Sequence, residues 1–428
     1  MNKNEMAILV GTFNPRLKSR REFHEPDVED SLEELSQLAK TAGATVVESI
    51  ACRLDRVNPG TFIKMGKVKE IGELVQSLKA NLVIFDDELS PRQTRNLEEV
   101  FKVRTIDRRA LILDIFAQRA QTREGQLQVE LAQFMYLLPR LTGMWTHLER
   151  QAGGIGLRGP GETQLELDKR IIREKMRRIK KELEGVKNSR HLQREKRKRS
   201  AVAQVVLVGY TNSGKSTLFN RMTEGDALSA DKLFATLDPT TRKLDLPNHR
   251  EVTLTDSVGF IRKLPHELVE AFKATLEEVQ NADLLLHVLD ASAPLWESHK
   301  RATEQVLMEL DCLDKPIIEV YNKIDRLQGG FGLAHSPRRV FVSALDGTNV
   351  DKLIEKIQDV LSGDHLRVKL LLPQGRGDLL ALVHREGRIL SQDFQAEFVE
   401  MTVDLPAKRV EQWKKSGFVI ADYSPDAF

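Results

Sequence analysis

The residues that could do chemistry concentrate in one run, VVLVGYTNSGKSTLFN, from Val205 to Asn220. An apolar, β-branched stretch (Val205 to Val208) ends at Gly209. Tyr210, Thr211, Asn212 and Ser213 then lead to Gly214, Lys215 and Ser216, spaced as G-x-x-x-x-G-K-S, with Thr217 opening a helix-like segment to Met222. A strand buried on both faces reads as continuous apolar sequence. Glycines let the backbone turn its N–H groups toward a phosphate, at a helix N-terminus whose dipole favours anions. In this arrangement Lys215 neutralises the β- and γ-phosphates and the Ser216 hydroxyl holds Mg2+. The pattern is that of a nucleoside triphosphate site.

A phosphate loop leaves the base open. Asn322-Lys323-Ile324-Asp325, after an apolar strand over 316–321, is the N-K-x-D pattern that reads guanine. The Asp325 carboxylate accepts from guanine's ring N–H and exocyclic amine, a pair adenine does not offer, so ATP would leave a buried carboxylate unpaired. The Lys323 stem is expected over the base, and Asn322 is expected to tie this loop to the phosphate loop. Ser343-Ala344-Leu345, after a strand over 339–342, adds a backbone N–H for the base oxygen.

Two further segments bear on the γ-phosphate. Asp256-Ser257-Val258-Gly259 fits D-x-x-G, with Asp256 acting on Mg2+ through water and the Gly259 N–H sensing the phosphate. Upstream lie Phe234, Ala235, Thr236, Leu237 and Asp238. Thr236 is assigned as the threonine that meets Mg2+ only when the γ-phosphate is present, with Thr240 and Thr241 as competitors. The ligands are therefore GTP and GDP with Mg2+, the metal ligands Ser216 and Thr236, and the catalytic group Lys215, Thr236 and Gly259. Loss of the γ-phosphate releases both segments, which makes a switch. Phe260 follows Gly259, and a phenyl ring cannot orient a nucleophilic water. Hydrolysis is accordingly expected to be slow until a partner supplies the missing parts, unless a nearby threonine positions the water.

Elements must hold these residues in place. The alternation of strands and helices predicts an N-terminal parallel α/β domain over 1–120. Its strands fall at 6–10, 45–51, 81–85 and 102–106, and its helices at 30–42, 66–78 and 91–101. The loop NPGTFIKMGKV (58–68) reads as an anion-binding turn or a plain surface turn. Leu127, Leu131, Phe134, Leu138 and Leu141 recur at coiled-coil spacing, and so do Ile172, Met176, Ile179, Leu183 and Val186. Joined by the glycine-rich loop 143–162, they predict an antiparallel helical hairpin, or else a stripe packed on a neighbouring domain. Residues 121–200 are assigned to this hairpin and its basic linker, with 191–200 as a solvated connection. A P-loop, Ras-like G domain takes 201–362. A small α+β domain takes 363–428, with strands at 368–372 and 396–403 and helices at 377–385 and 406–415.

Composition bounds the rest. The 428 residues are 41% hydrophobic and 30% charged, which suits a globular protein of two to four domains. Two cysteines, Cys52 and Cys312, exclude a disulfide framework and a cysteine metal site. No apolar run reaches the length of a membrane span and the N-terminus lacks a signal pattern, so a cytoplasmic protein is expected. The net charge of +2 conceals an asymmetry. Lys169 to Arg199 carries 15 basic residues against 4 glutamates, a net of +11 that leaves −9 on the remainder. Such one-signed excess favours RNA contact over a merely solvated face.

The runs GYTNSGKSTLFN, FATLDPTTR, DSVGFI and NKID resemble the HflX GTPases of the Obg–HflX group, as does GGIGLRGPGETQLELDKRII (Gly153–Ile172) just before the G domain. Ser257 and Ser213 depart from the Thr and Ala common in that family. The resemblance implies binding to the large ribosomal subunit and its ribosomal RNA, with splitting or rescue of stalled ribosomes. It also places the hairpin loop toward the peptidyl-transferase region. No DNA partner is implied, and a monomer is expected. Two other readings are a GTPase whose hairpin serves self-assembly and an RNA-modification GTPase.

Overall fold

The computed structural model describes residues 5–14, 28–143, 160–199, 202–223, 233–234, 236–247, 251–263, 273–327, 338–362, 365–373, 375–386, 388–395, 397–406, 410, 413 and 419–424. Ala235, the span 144–159 and most of the helix expected at 406–415 lie outside them.

The N-terminal segment is a four-stranded parallel sheet of order β2-β1-β3-β4, formed by Met6–Phe13 (β1), Thr45–Arg53 (β2), Leu82–Phe85 (β3) and Arg104–Asp107 (β4). Crossover helices Val28–Thr41 (α1), Met65–Ser77 (α2) and Pro91–Phe101 (α3) connect the strands. α3 begins where the sequence places it because Ser90 and Gln93 close a reciprocal capping box with Pro91 in the first turn. The 58–68 loop keeps Pro59, Lys64 and Gly66 exposed, as a surface turn does, but part of it turns inward. It closes on itself through a bridge from Asn58 to Phe62, and it buries Phe62 and Ile63, with Phe62 edge-on to Phe85 at 6.5 Å.

Beyond the three helices expected in the N-terminal region lies Arg108–Arg119 (α4), capped by the Asp107 side chain accepting from the Ala110 N–H. It is followed by Arg123–Leu137 (α5) and, beyond the loop, by the 40-residue helix Pro160–Arg199 (α6). Helix continues through 191–199, where a linker was expected. Gln, Arg, Glu and Lys are good helix formers, and no glycine or proline interrupts them. α5 and α6 run antiparallel. Leu127, Leu131 and Ile179 are buried between them with Phe134, Met176 and Leu183 alongside, and Arg123 pairs with Glu182. The stripe itself thus faces α6, while a different face of α5, with Val129, Ala132 and Tyr136, enters the core of the N-terminal sheet.

The second sheet has six strands in the order β10-β9-β8-β5-β7-β6. They are Ala203–Gly209 (β5), Thr240–Asp245 (β6), Glu251–Asp256 (β7), Leu284–Asp290 (β8), Ile317–Asn322 (β9) and Arg339–Phe341 (β10), all parallel except β6. β5 is flanked by β7 and β8, so the chain crosses over it and opens a crevice at its carboxyl end, where ligands bind in such sheets. The C-terminal sheet is antiparallel, β12-β13-β11-β14, from His365–Pro373 (β11), Arg388–Phe394 (β12), Phe398–Pro406 (β13) and Val419–Ser424 (β14). β12 and β14 were not expected from the sequence, because RILSQDF and VIADYS lack a clean two-residue apolar alternation. A single buried cluster runs from Leu9, Leu35 and Phe116 through Phe234 and Leu237 to Val208 and Phe260, joining the first two sheets.

Candidate guanine nucleotide site

The crevice at the end of β5 is walled by the G-x-x-x-x-G-K-S turn. A side chain at Gly209 would collide with the Val288 carbonyl and one at Gly214 with the Asn322 amide, and both residues hold positive φ, so the turn admits only glycine there. The helix Lys215–Thr223 starts at the turn. Lys215 is buried and donates to the carbonyls of Gly209 at 3.1 Å and Tyr210 at 2.8 Å. Burial lowers its pKa to about 8, against the opposing pull of Asp256. A Cβ on Gly259 would sit 3.0 Å from that ammonium and 2.9 Å from the Thr211 Cα, so the D-x-x-G glycine closes directly onto the loop.

Ser216, Thr236 and Asp256 meet. Ser216 Oγ lies 2.7 Å from Thr236 Oγ1 and 2.7 Å from Asp256 Oδ2, and Thr236 Oγ1 donates to the same carboxylate oxygen at 2.9 Å. Burial raises the Asp256 pKa, with Lys215 opposing. Its Oδ1 is buried without a hydrogen-bond partner. Two hydroxyls beside a carboxylate with one free oxygen form a hard, all-oxygen donor set, and it fits Mg2+. Of the competing threonines, Thr241 pairs with Thr255 at 2.9 Å and Thr240 is fixed in β6 opposite Asp256.

The base-side residues form one network. Asn322 donates to the Ser213 carbonyl at 3.0 Å and accepts from the Ala344 N–H at 2.9 Å, tying the two loops. Lys323 donates to the Asn212 carbonyl and pairs with Asp290, both at 2.7 Å. Asp325 accepts from Ser343 Oγ at 2.7 Å. The expectation of a buried Asp325 fails, because the short turn Ile324–Arg326 carries it at the surface, and Leu345 is exposed as well. Thr217 lies in the first turn of the phosphate-loop helix. Ser257 gives its hydroxyl to the Leu207 carbonyl, while Val258 is buried in the shared core.

Four expected lining residues point elsewhere. Phe234 packs edge-on against Phe116 at 4.6 Å, and Leu237 is buried in the same cluster. Asp238 accepts from the Gln121 and Thr122 N–H groups, each at 2.9 Å, at the start of α5. Tyr210 stacks on His299 at 4.0 Å and donates to Glu34 of α1, while accepting from the Arg262 N–H. Apolar residues flanking a switch leave water wherever a surface allows it, and the N-terminal domain offers that surface. Phe260 is buried in this core too.

Sequence reasoning missed the anchors. Glu34 is held by Arg108 and Arg262, and Asp86 by Arg108, Lys263 and Ser31. Asp86 stands at the carboxyl end of β3, beside β1, at the switch point of the N-terminal sheet. A lysine of the G domain fills the place where a doubly wound sheet binds its ligand. Burial opposes ionisation of Asp86, but Arg108 and Lys263 overcome it and hold its pKa below the usual range. The available signal was a charged residue on the apolar face of α1 and an Asp-Asp pair after an all-apolar strand.

Three family models match in succession: the N-terminal region of GTP-binding GTPases over 29–117, their middle region over 119–197, and the 50S ribosome-binding GTPase domain over 204–323. The chain is 45% identical to the GTPase HflX of Caldanaerobacter subterraneus subsp. tengcongensis, over 97% of this chain and 94% of that one. It is 46% identical to the GTPase HflX of Escherichia coli strain K12, over 92% and 90%. A solved GTP-binding protein from Sulfolobus solfataricus in complex with GDP aligns with 83% of this chain and 98% of its own at 24% identity and a TM-score of 0.44. The chain belongs to the HflX family of GTPases.

Proposed function

We propose that this GTPase is a GTP-switched factor of the large ribosomal subunit that splits or rescues stalled ribosomes, hydrolysing GTP slowly until the ribosome stimulates it. The observation that carries the switch is the meeting of Ser216, Thr236 and Asp256 beside Lys215. Ser216 and Thr236 would hold Mg2+ directly and Asp256 through water. Held there, Mg2+ would supply positive charge to offset that of the phosphates. Lys215 binds the same phosphates, the Gly259 N–H receives the γ-phosphate, and Asp325 with Asn322, Lys323 and the 343–345 loop selects guanine. Phe260, directly after D-x-x-G, is buried in the core and is not a group that orients water. The family description of a 50S ribosome-binding GTPase and the basic α6 support ribosomal RNA as the partner, in the cytoplasm.

The test is sedimentation with purified large subunits. Wild type should pellet with a non-hydrolysable GTP analogue and not with GDP, and pelleting should weaken with salt. The Asp325→Asn variant should require the xanthosine analogue instead. Equal pelleting with every nucleotide, or none, overturns the proposal.

A further inference from the structure

We propose that Asp238 is the link through which the γ-phosphate sets the pose of the helical hairpin. It stands two residues after Thr236, and its carboxylate caps the first turn of α5. Oδ2 accepts from the Gln121 and Thr122 N–H groups, and Oδ1 accepts from the Thr122 hydroxyl at 2.5 Å. The Thr122 hydroxyl in turn accepts from the Gly125 N–H at 3.0 Å, as the N-cap of the same helix. A carboxylate from 116 residues away thus completes a cap the helix began for itself.

The helix is shaped to receive it. Gly125 lies in the first turn of α5, where alanine would form helix better, and a Cβ there would collide with Asp238 Oδ1. Phe234, on the near side of Thr236, packs on Phe116 at the end of α4. The loop that carries Thr236 is therefore fastened on both sides to the α4–α5 corner from which the hairpin springs. When Thr236 leaves Ser216 and Asp256, its neighbour Asp238 must strain or leave α5. By reciprocity, a partner that holds the hairpin in the capped pose holds Thr236 at the phosphate site, and so tightens GTP binding.

The proposal rests on the GTP-switch reading, but its test needs no ribosome. Donor and acceptor dyes are placed on the exposed sites Glu184→Cys in α6 and Asp314→Cys in the G domain, in a Cys52→Ala, Cys312→Ala background. Wild type should change its transfer efficiency between GDP and a non-hydrolysable GTP analogue. Asp238→Ala and Gly125→Ala should each shrink that change at least threefold, with affinity for a fluorescent guanine nucleotide within about threefold of wild type. The double variant should be no worse than either single one, as expected of two sides of one contact. Because the new methyl would also press on Thr122 Oγ1 at 3.2 Å, unchanged far-UV circular dichroism is required of both variants, which separates loss of the contact from loss of α5. A full-sized change in both variants, or no change in wild type, overturns the proposal. Failure to pellet with subunits would overturn only the ribosomal reading.

Discussion

Lys215 donates to two backbone carbonyls, and burial brings its pKa to about 8, so the phosphates would meet an ammonium already stripped of water. That ammonium costs folding free energy and favours an anion at the same spot. Another buried base, His287 on β8, lies outside the site, and burial takes its pKa down to about 4, with Lys300 assisting. Its folded value is below the unfolded one, so the unfolded chain binds the extra proton between about pH 6.5 and 4. The contribution is present above pH 6.5 and is lost as pH falls through that window. His287→Leu should therefore lose about 2–3 kcal/mol less stability than wild type between pH 7 and 4.5, read from urea midpoints at the two pH values. Equal losses would mean that the imidazole is not held neutral.

At the scale of elements, α5 does two jobs. One face seats Val129, Ala132 and Tyr136 in the N-terminal core, while the other forms the seam with α6. Arg140 lies 3.5 Å over the Tyr136 ring and donates to Asp107 and the Leu89 carbonyl, which fixes the exit angle of the hairpin. Among the described residues the seam buries Leu127, Leu131 and Ile179. Ile179→Ala should cost about 2–4 kcal/mol of local stability. Amide exchange should then speed up along 170–186 and remain unchanged in β5, β8 and β9. Loss of protection in those strands would show that hairpin and G domain unfold as one unit.

Across the whole molecule, the first two sheets are joined by a buried charge cluster as well as by a shared core. Arg108 is 2% exposed and reaches both Glu34 and Asp86, and Arg262 and Lys263, just past D-x-x-G, complete it. Removing one member strands the others in a low dielectric. Arg108→Met should cost about 3–5 kcal/mol, and Arg108→Lys should recover only part, because a single ammonium cannot serve two carboxylates as the guanidinium fork does. Thermal unfolding in GDP checks both. A methionine variant as stable as wild type would show that the cluster is dispensable.

The sequence alone determined the family, the GTPase class and most elements, because their marks are local. Spacing within 209–217 reads as a phosphate loop, N-K-x-D reads as a guanine loop, and periods of two and 3.6 set strands and helices. The Ser90 capping box settles α3 to the residue. Tertiary structure decided what lies far apart in the chain. Thr236 meets Ser216 and Asp256 where Thr241 does not, Asp238 caps a helix 116 residues upstream, and Glu34 and Asp86 hold the residues beyond Gly259. A single carboxylate carries no mark of its partner, since the pairing is fixed only when two domains close over it and water is excluded.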